Sequence, residues 1–186
     1  MNLKDIIKDT CVVLELDSLV SGLDAENIST DTQNGVKNFV KYFNVIEKEI
    51  ASEFLPALKK EEIAKQNQID FEDLEEDVLD VVYIKDDKKR KMFFEIFPTY
   101  AQFNGTSSEI VYTYLPEDAI LTDDILALVP AQVYVYGILR EHFMAEGLLD
   151  NAQLYEDKFK NSIASLIEKD KNKISFAKRM PKRKWL

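Results

Sequence analysis

Apolar residues change their spacing twice along this 186-residue chain, and that change limits the folds open to it. From 3 to 16, Leu3, Ile6, Ile7, Cys11 and Leu14 fall on one helical stripe. Ser18–Asn27, with Gly22, reads as a loop. Thr30-Asp31-Thr32-Gln33 has the form of a capping box, a hydroxyl residue followed three later by Gln. It predicts a long helix through Val36, Phe39, Val40, Phe43, Ile46, Glu47 and Ile50, ended by Pro56. The stripe is apolar and aromatic, so this helix must pack against something large.

The period then turns β-like. Phe71, Leu74 and Val78 sit in an acidic stretch that leads into Val81-Val82-Tyr83-Ile84, a strand by composition. Asp86-Asp87-Lys88-Lys89 is a polar turn. Met92–Ile96 reads as a second strand, closed by Phe97-Pro98, and Asn104-Gly105 as another turn. Ile110–Tyr114 is a third strand, ended by Pro116. The segment at about 79–115 is therefore expected to be a small antiparallel β insert. At about 35 residues it needs packing from outside the sheet.

The helical period returns after Thr122, where Thr122 and Asp123-Asp124 suit a helix N-terminus. Pro130 breaks or restarts that helix. Val133, Tyr136, Gly137, Arg140, Phe143 and Met144 lead to a stop at Gly147. Asp150 or Asn151 then caps a last helix striped by Ala152, Tyr155, Phe159, Ile163, Leu166 and Ile167. Helix, Gly turn and helix predict an antiparallel hairpin. Residues 171–186 show no periodicity. The expected fold is mainly α: a helical bundle with a small antiparallel β insert and an extended C-terminal arm. Its expected layout is one domain over 1–170 and a basic arm over 171–186.

Composition supports a folded chain, with 46% apolar and 11% aromatic residues. Five Gly and five Pro are too few for a turn-rich sandwich. Charge is divided unevenly. Residues 171–186 hold seven Lys or Arg and no acid, which leaves 17 basic against 34 acidic groups in 1–170. An acidic body does not bind nucleic acid through its general field. A basic tail on such a body can meet an acidic surface on a neighbouring copy or another anion; a solvated tail is the simpler reading. The N-terminus Met1–Asp5 has no apolar signal core, and no stretch approaches the roughly 18 apolar residues of a membrane span. The expectation is a soluble compartment.

Little in the sequence points to catalysis. The single Cys11 sits in an apolar run and reads as core in a reducing environment. The single His142, in Arg140-Glu141-His142-Phe143, lies mid-helix among charges and reads as surface or interface. Asp70, Glu72, Asp73, Glu75, Glu76, Asp77 and Asp80 lack the alternation and Gly turn of a cation loop. They read as a solvated acidic face or as a dock for a basic partner, the chain's own tail included. No Gly-rich phosphate loop is present. Lys88-Lys89-Arg90-Lys91 is basic but placed at a predicted hairpin turn, where exposure is the plain reading and anion binding the sharper one. Trp185, the only Trp, is expected to anchor an interface. No cofactor, metal or catalytic residue is expected.

Three segments in order carry a resemblance. They are Leu3–Ile7 with Val36–Ile50, then Val111-Tyr112-Thr113-Tyr114-Leu115-Pro116, then Tyr134–Gly147 followed by Asn151–Phe159 and the closing Pro181-Lys182-Arg183-Lys184-Trp185. In these the chain resembles the head–tail connector (adaptor, neck) proteins of tailed bacteriophages. The resemblance implies a noncatalytic virion protein that forms a ring, commonly of twelve copies, below the portal. Such a ring extends the DNA channel, passes genomic DNA without sequence-specific binding, and meets a downstream tail or neck protein. It implies interface residues in the tail: Ile174, Phe176, Arg179, Lys182, Arg183, Lys184 and Trp185. Two other readings stand beside it. One is a helical interaction or scaffold module that binds an acidic partner through the basic arm. The other is an enzyme with a helical core using acidic residues and Mg²⁺.

Overall fold

Ser29 starts the longest N-terminal helix, one residue before the expected box. Its Oγ accepts the Thr32 N–H at 3.2 Å, while the Gln33 side chain donates to the Ile28 carbonyl. In the computed structural model, which describes residues 1–63, 67–125 and 127–178 (side chains through 169), the helices are α1 (Leu3–Val13), α2 (Asp17–Asp24), α3 (Thr30–Glu49), α4 (Ala131–Ala145) and α5 (Leu149–Lys178). The strands are β1 (Ala57–Glu62), β2 (Gln68–Asp70), β3 (Val78–Asp86), β4 (Phe94–Ile96), β5 (Tyr100–Phe103) and β6 (Ser107–Tyr114).

This corrects the expected fold class. The described residues form five α-helices and two small antiparallel sheets, so the chain is a mixed α/β protein and not mainly a helical bundle. One sheet has the order β1-β6-β3 and the other β2-β5-β4. The expected three strands therefore divide between two sheets: 81–84 and 110–114 share one, whereas Phe94–Ile96 belongs to the other. β1, Ala-Leu-Lys-Lys-Glu-Glu, has a helix-forming composition. Pairing with β6, from Ala57 opposite Tyr114 to Glu62 opposite Glu109, makes it a strand. The "extended arm" is corrected too, since α5 stays helical through Lys178.

Two compact units result, Met1–Ile46 with Ala119–Leu186, and Glu47–Asp118. In the first, α4 packs on α5 and on α1. Leu3, Ile6, Ile7, Phe43, Ile46 and Phe159 are fully buried, as their stripes predict, and Leu23, Tyr134 and Ile138, which no expected stripe contained, are fully buried too, whereas Met144 is exposed. Phe43 and Tyr134 lie 5.0 Å apart by ring centroid. The expected loop at Ser18–Asn27 is largely α2. Gly22 and Gly35 let α2 and α3 approach, because a Cβ on Gly22 would strike Thr32 and one on Gly35 would strike Leu19. Thr122–Asp124 does not start a helix. Leu3 donates its N–H to the Asp123 carbonyl and Ile125 donates to the Met1 carbonyl, so this segment is laced to the start of α1. Those tertiary bonds satisfy groups that a helix would otherwise use. Gly147, at φ +73°, ends α4 as expected: Leu148 N–H reaches Phe143 O and Gly147 N–H reaches Met144 O, the two bonds of a Schellman motif.

In the second unit, α3 runs on into a π-helical turn over Ile50–Phe54, closed by Leu55 N–H to Ile50 O before Pro56. One face of the β1-β6-β3 sheet buries Ala57, Ile84, Ile110, Tyr112 and Tyr114, and Ile69, Ala101 and Phe103 are buried in the other sheet. Register shifts along β3 leave Leu79 and Val82 exposed. Such irregularity, together with charge, discourages edge-to-edge pairing. Among the described residues no helix is long and apolar enough to cross a membrane.

Candidate interaction surfaces

The α4–α5 hairpin carries the most organised polar group in the helical unit. Arg140 is only 8% exposed. Its guanidinium donates to Glu141 at 2.7 Å and to Glu156 at 2.8 Å, and sits 5.1 Å from the Phe159 ring centroid. Burial pushes the Glu156 carboxyl up, but hydrogen bonds from Lys160 and Arg140 outweigh it and hold its pKa below the ordinary value. An Arg satisfied in this way orients its neighbours and is not poised for proton transfer.

Beside it runs an aromatic ladder. His142 meets Phe39 edge-on at 5.5 Å, Phe143 stacks on Tyr155 at 5.5 Å, and Tyr155 lies 6.2 Å from Tyr136. Lys158 caps it, 4.5 Å above Tyr155. All four ladder residues on the hairpin are half-exposed. His142 thus lies in an aromatic contact at the surface, in keeping with the surface or interface reading. Near the end of the hairpin, Arg140, Glu141, Met144, Leu149, Ala152, Gln153 and Glu156 line a groove of about 570 Å³, with Met144 and Leu149 54% and 67% exposed.

The β unit holds two charged clusters. Lys59 bridges Glu75 at 2.7 Å and Glu76 at 3.3 Å, while Tyr112 donates to Glu61 and accepts the Glu76 N–H. Burial and the Glu61 bond together push the Tyr112 hydroxyl well above its ordinary range. Part of the acidic run is therefore pinned to the sheet, whereas Glu72, Asp73, Asp77 and Asp80 are exposed. Glu109 is gripped by Lys60 at 2.7 Å and Lys85 at 2.8 Å; those bonds hold its carboxyl down to about 2 against the cost of burial. Both clusters link neighbouring elements of the β unit through paired charges.

The basic run Lys88–Lys91 is at a turn, as the sequence predicts, and all four residues are exposed. Asp86 holds the turn by accepting the Lys88 and Arg90 N–H groups and pairing with the Arg90 side chain. Lys91 lies over the Tyr83 ring. Next to it Phe93, expected inside a strand, is 98% exposed. Sequence reasoning missed this residue. Its signal was a second Phe in Phe93-Phe94, of which a strand can bury only one.

Of the residues expected at an interface, Ile174 and Phe176 lie on the last turns of α5. Arg179, Lys182, Arg183, Lys184 and Trp185 lie outside the described residues. Cys11 is buried, as expected, and burial raises its thiol to about 11. Among the described residues no three His, Cys, Asp or Glu side chains converge to hold a metal ion. Compared with known proteins, the chain matches no protein-family model and no curated protein.

Proposed function

We propose that this chain is a noncatalytic connector of a tailed-phage virion, a ring-forming protein that joins the portal to the tail and extends the DNA channel. The observation that carries the reading is the partition of charge along one long helix. α5 starts among acidic residues, and from Lys171, within its last turns, to the C-terminus the chain holds seven cations and no acid. A basic end and an acidic body are different surfaces, which is what head-to-tail assembly of identical copies needs. In the proposed assembly the partners are the portal, further copies and a downstream neck protein, and DNA passes through without sequence-specific contacts.

The test is assembly of the full-length chain on its cognate portal, read by mass measurement and low-resolution imaging. A circular array, commonly of twelve, is expected on the portal. Removing 174–186 should leave the far-UV signal of the fold and abolish the array. Trp185→Ala should weaken docking by at least about 2 kcal/mol, as interface anchors do. A 1:1 complex with an acidic partner and no array would favour the scaffold reading instead.

A further inference from the structure

The 86–93 hairpin offers an exposed aromatic beside two lysines, and the α4–α5 groove offers apolar side chains beside two exposed acids. The hairpin is a knob tied down by its own hydrogen bonds. Asp86 fixes its turn, and Met92 donates to the Ile84 carbonyl, so Phe93 is held out at 98% exposure with Lys88 and Lys89 exposed beside it. The groove is a hole. Its apolar wall is Met144, Leu149 and Ala152; Glu141 and Glu156 at its rim are paired with Arg140, which also lines it, so the acids offered to a basic partner are the exposed Glu146 and Asp150, which flank it in sequence. About 570 Å³ is ample for one phenyl ring. An aromatic anchor entering an apolar pocket inside a charged rim is the usual anatomy of an interface hot spot. Preorganisation of the knob lowers the ordering cost of docking.

We infer that the Phe93 knob of one copy docks into the α4–α5 groove of a second copy, with Lys88 and Lys89 facing Glu146 and Asp150. This rests on the proposed self-assembly and names the surfaces that carry it. Knob and hole are different patches of one chain, so each docked copy still offers a free knob and a free hole, and the contact propagates around a ring. A nucleic acid is the other ligand a Lys-Phe loop suits. The second copy is favoured because the same chain supplies an apolar hole with acids of the opposite sign.

The experiment uses full-length chains in two halves. Asn104→Cys places a thiol among the residues around Phe93, and Gln153→Cys places one in the groove lining. The two variants are mixed with copper–phenanthroline as oxidant, and intermolecular disulfide is followed on non-reducing gels. Cys11 is buried and does not compete. Pairing is expected about tenfold faster than for Asn104→Cys mixed with Val12→Cys, a control at an exposed site on α1. Adding Phe93→Asp to the Asn104→Cys chain should return the rate to the control level. Adding Lys88→Glu with Lys89→Glu should slow it severalfold at low salt. A rate equal to the control, or one indifferent to Phe93→Asp, overturns the contact. So does tight, lysine-dependent retention of a labelled oligothymidine with no trapping. If trapping fails while the wild-type chain still forms an array on the portal, this contact falls and the connector reading stands. If trapping succeeds and no portal is bound, the reverse holds.

Discussion

Arg140 on α4 and Glu156 on α5 meet at 2.8 Å across the helical hairpin, sixteen residues apart in sequence. The guanidinium stem covers Phe159 while its fork holds Glu141 and Glu156. Removing it takes the guanidinium from two carboxylates, 25% and 20% exposed, and leaves Glu156 with Lys160. Arg140→Ala should therefore destabilise the protein by about 3 kcal/mol, in the range for breaking a buried pair from one side. Arg140→Met should recover part of that loss because the stem still packs. Urea midpoints of the two variants check both expectations, and equal midpoints would show that packing plays no part.

Gly137 faces Ile46 on α3, where an added Cβ would lie 2.7 Å from Cγ2 and 2.9 Å from Cγ1. Ile46 is fully buried and has no room to retreat. Gly137→Ala should cost about 1–2 kcal/mol from overpacking, although helix propensity alone would gain about 1 kcal/mol. Gly147→Ala should lose about 1 kcal/mol for a different reason, since nothing lies within 4 Å and only the positive φ is strained. Thermal melts of both variants test this; a more stable Gly137→Ala would mean that the helices part easily.

Glu47 is 4% exposed in the last turn of α3, and burial, partly offset by Lys48, raises its carboxyl to about 7. A raised carboxyl binds its proton more tightly in the folded state. Stability should therefore be full below about pH 4.5, decline as pH rises through 7, and level off above it. The size is at most about 3 kcal/mol, from the shift at 1.36 kcal/mol per unit. Glu47→Gln should flatten this slope and raise stability at pH 8. Denaturation midpoints from pH 5 to 8 read it directly, and identical slopes in both proteins would refute the assignment.

Cys11 is fully buried in α1, and its thiol is raised to about 11. At pH 8 it should react with an aromatic disulfide reagent only at the rate of unfolding. Labelling in native buffer and in urea, followed by absorbance, tests this. Prompt native labelling would mean that α1 frays from the core.

The buried stripes of α1, α3 and α5 were legible because helical spacing is a local property: Leu3, Ile6, Phe43, Ile46 and Phe159 lie where their period puts them, whereas α4 buries Tyr134, Ile138 and Leu139, outside its expected stripe, and leaves Met144 exposed. Gly147 was legible because a helix stop is written in one residue. β1 was not, since Lys59, Lys60, Glu61 and Glu62 favour a helix until β6 supplies their backbone partners. Phe93 was not, because only the departure of the chain from β3 toward β4 decides which of two adjacent Phe residues faces solvent.

The sequence by itself determined the helical faces, the presence of β structure and the concentration of positive charge at the C-terminus. Each is a matter of near-neighbour chemistry along the chain. Only the tertiary structure decided that the strands form two sheets, that the acidic run is pinned by Lys59, and that an exposed Phe and an apolar groove exist on one molecule. Those depend on pairings between residues far apart in the chain, which no local pattern encodes.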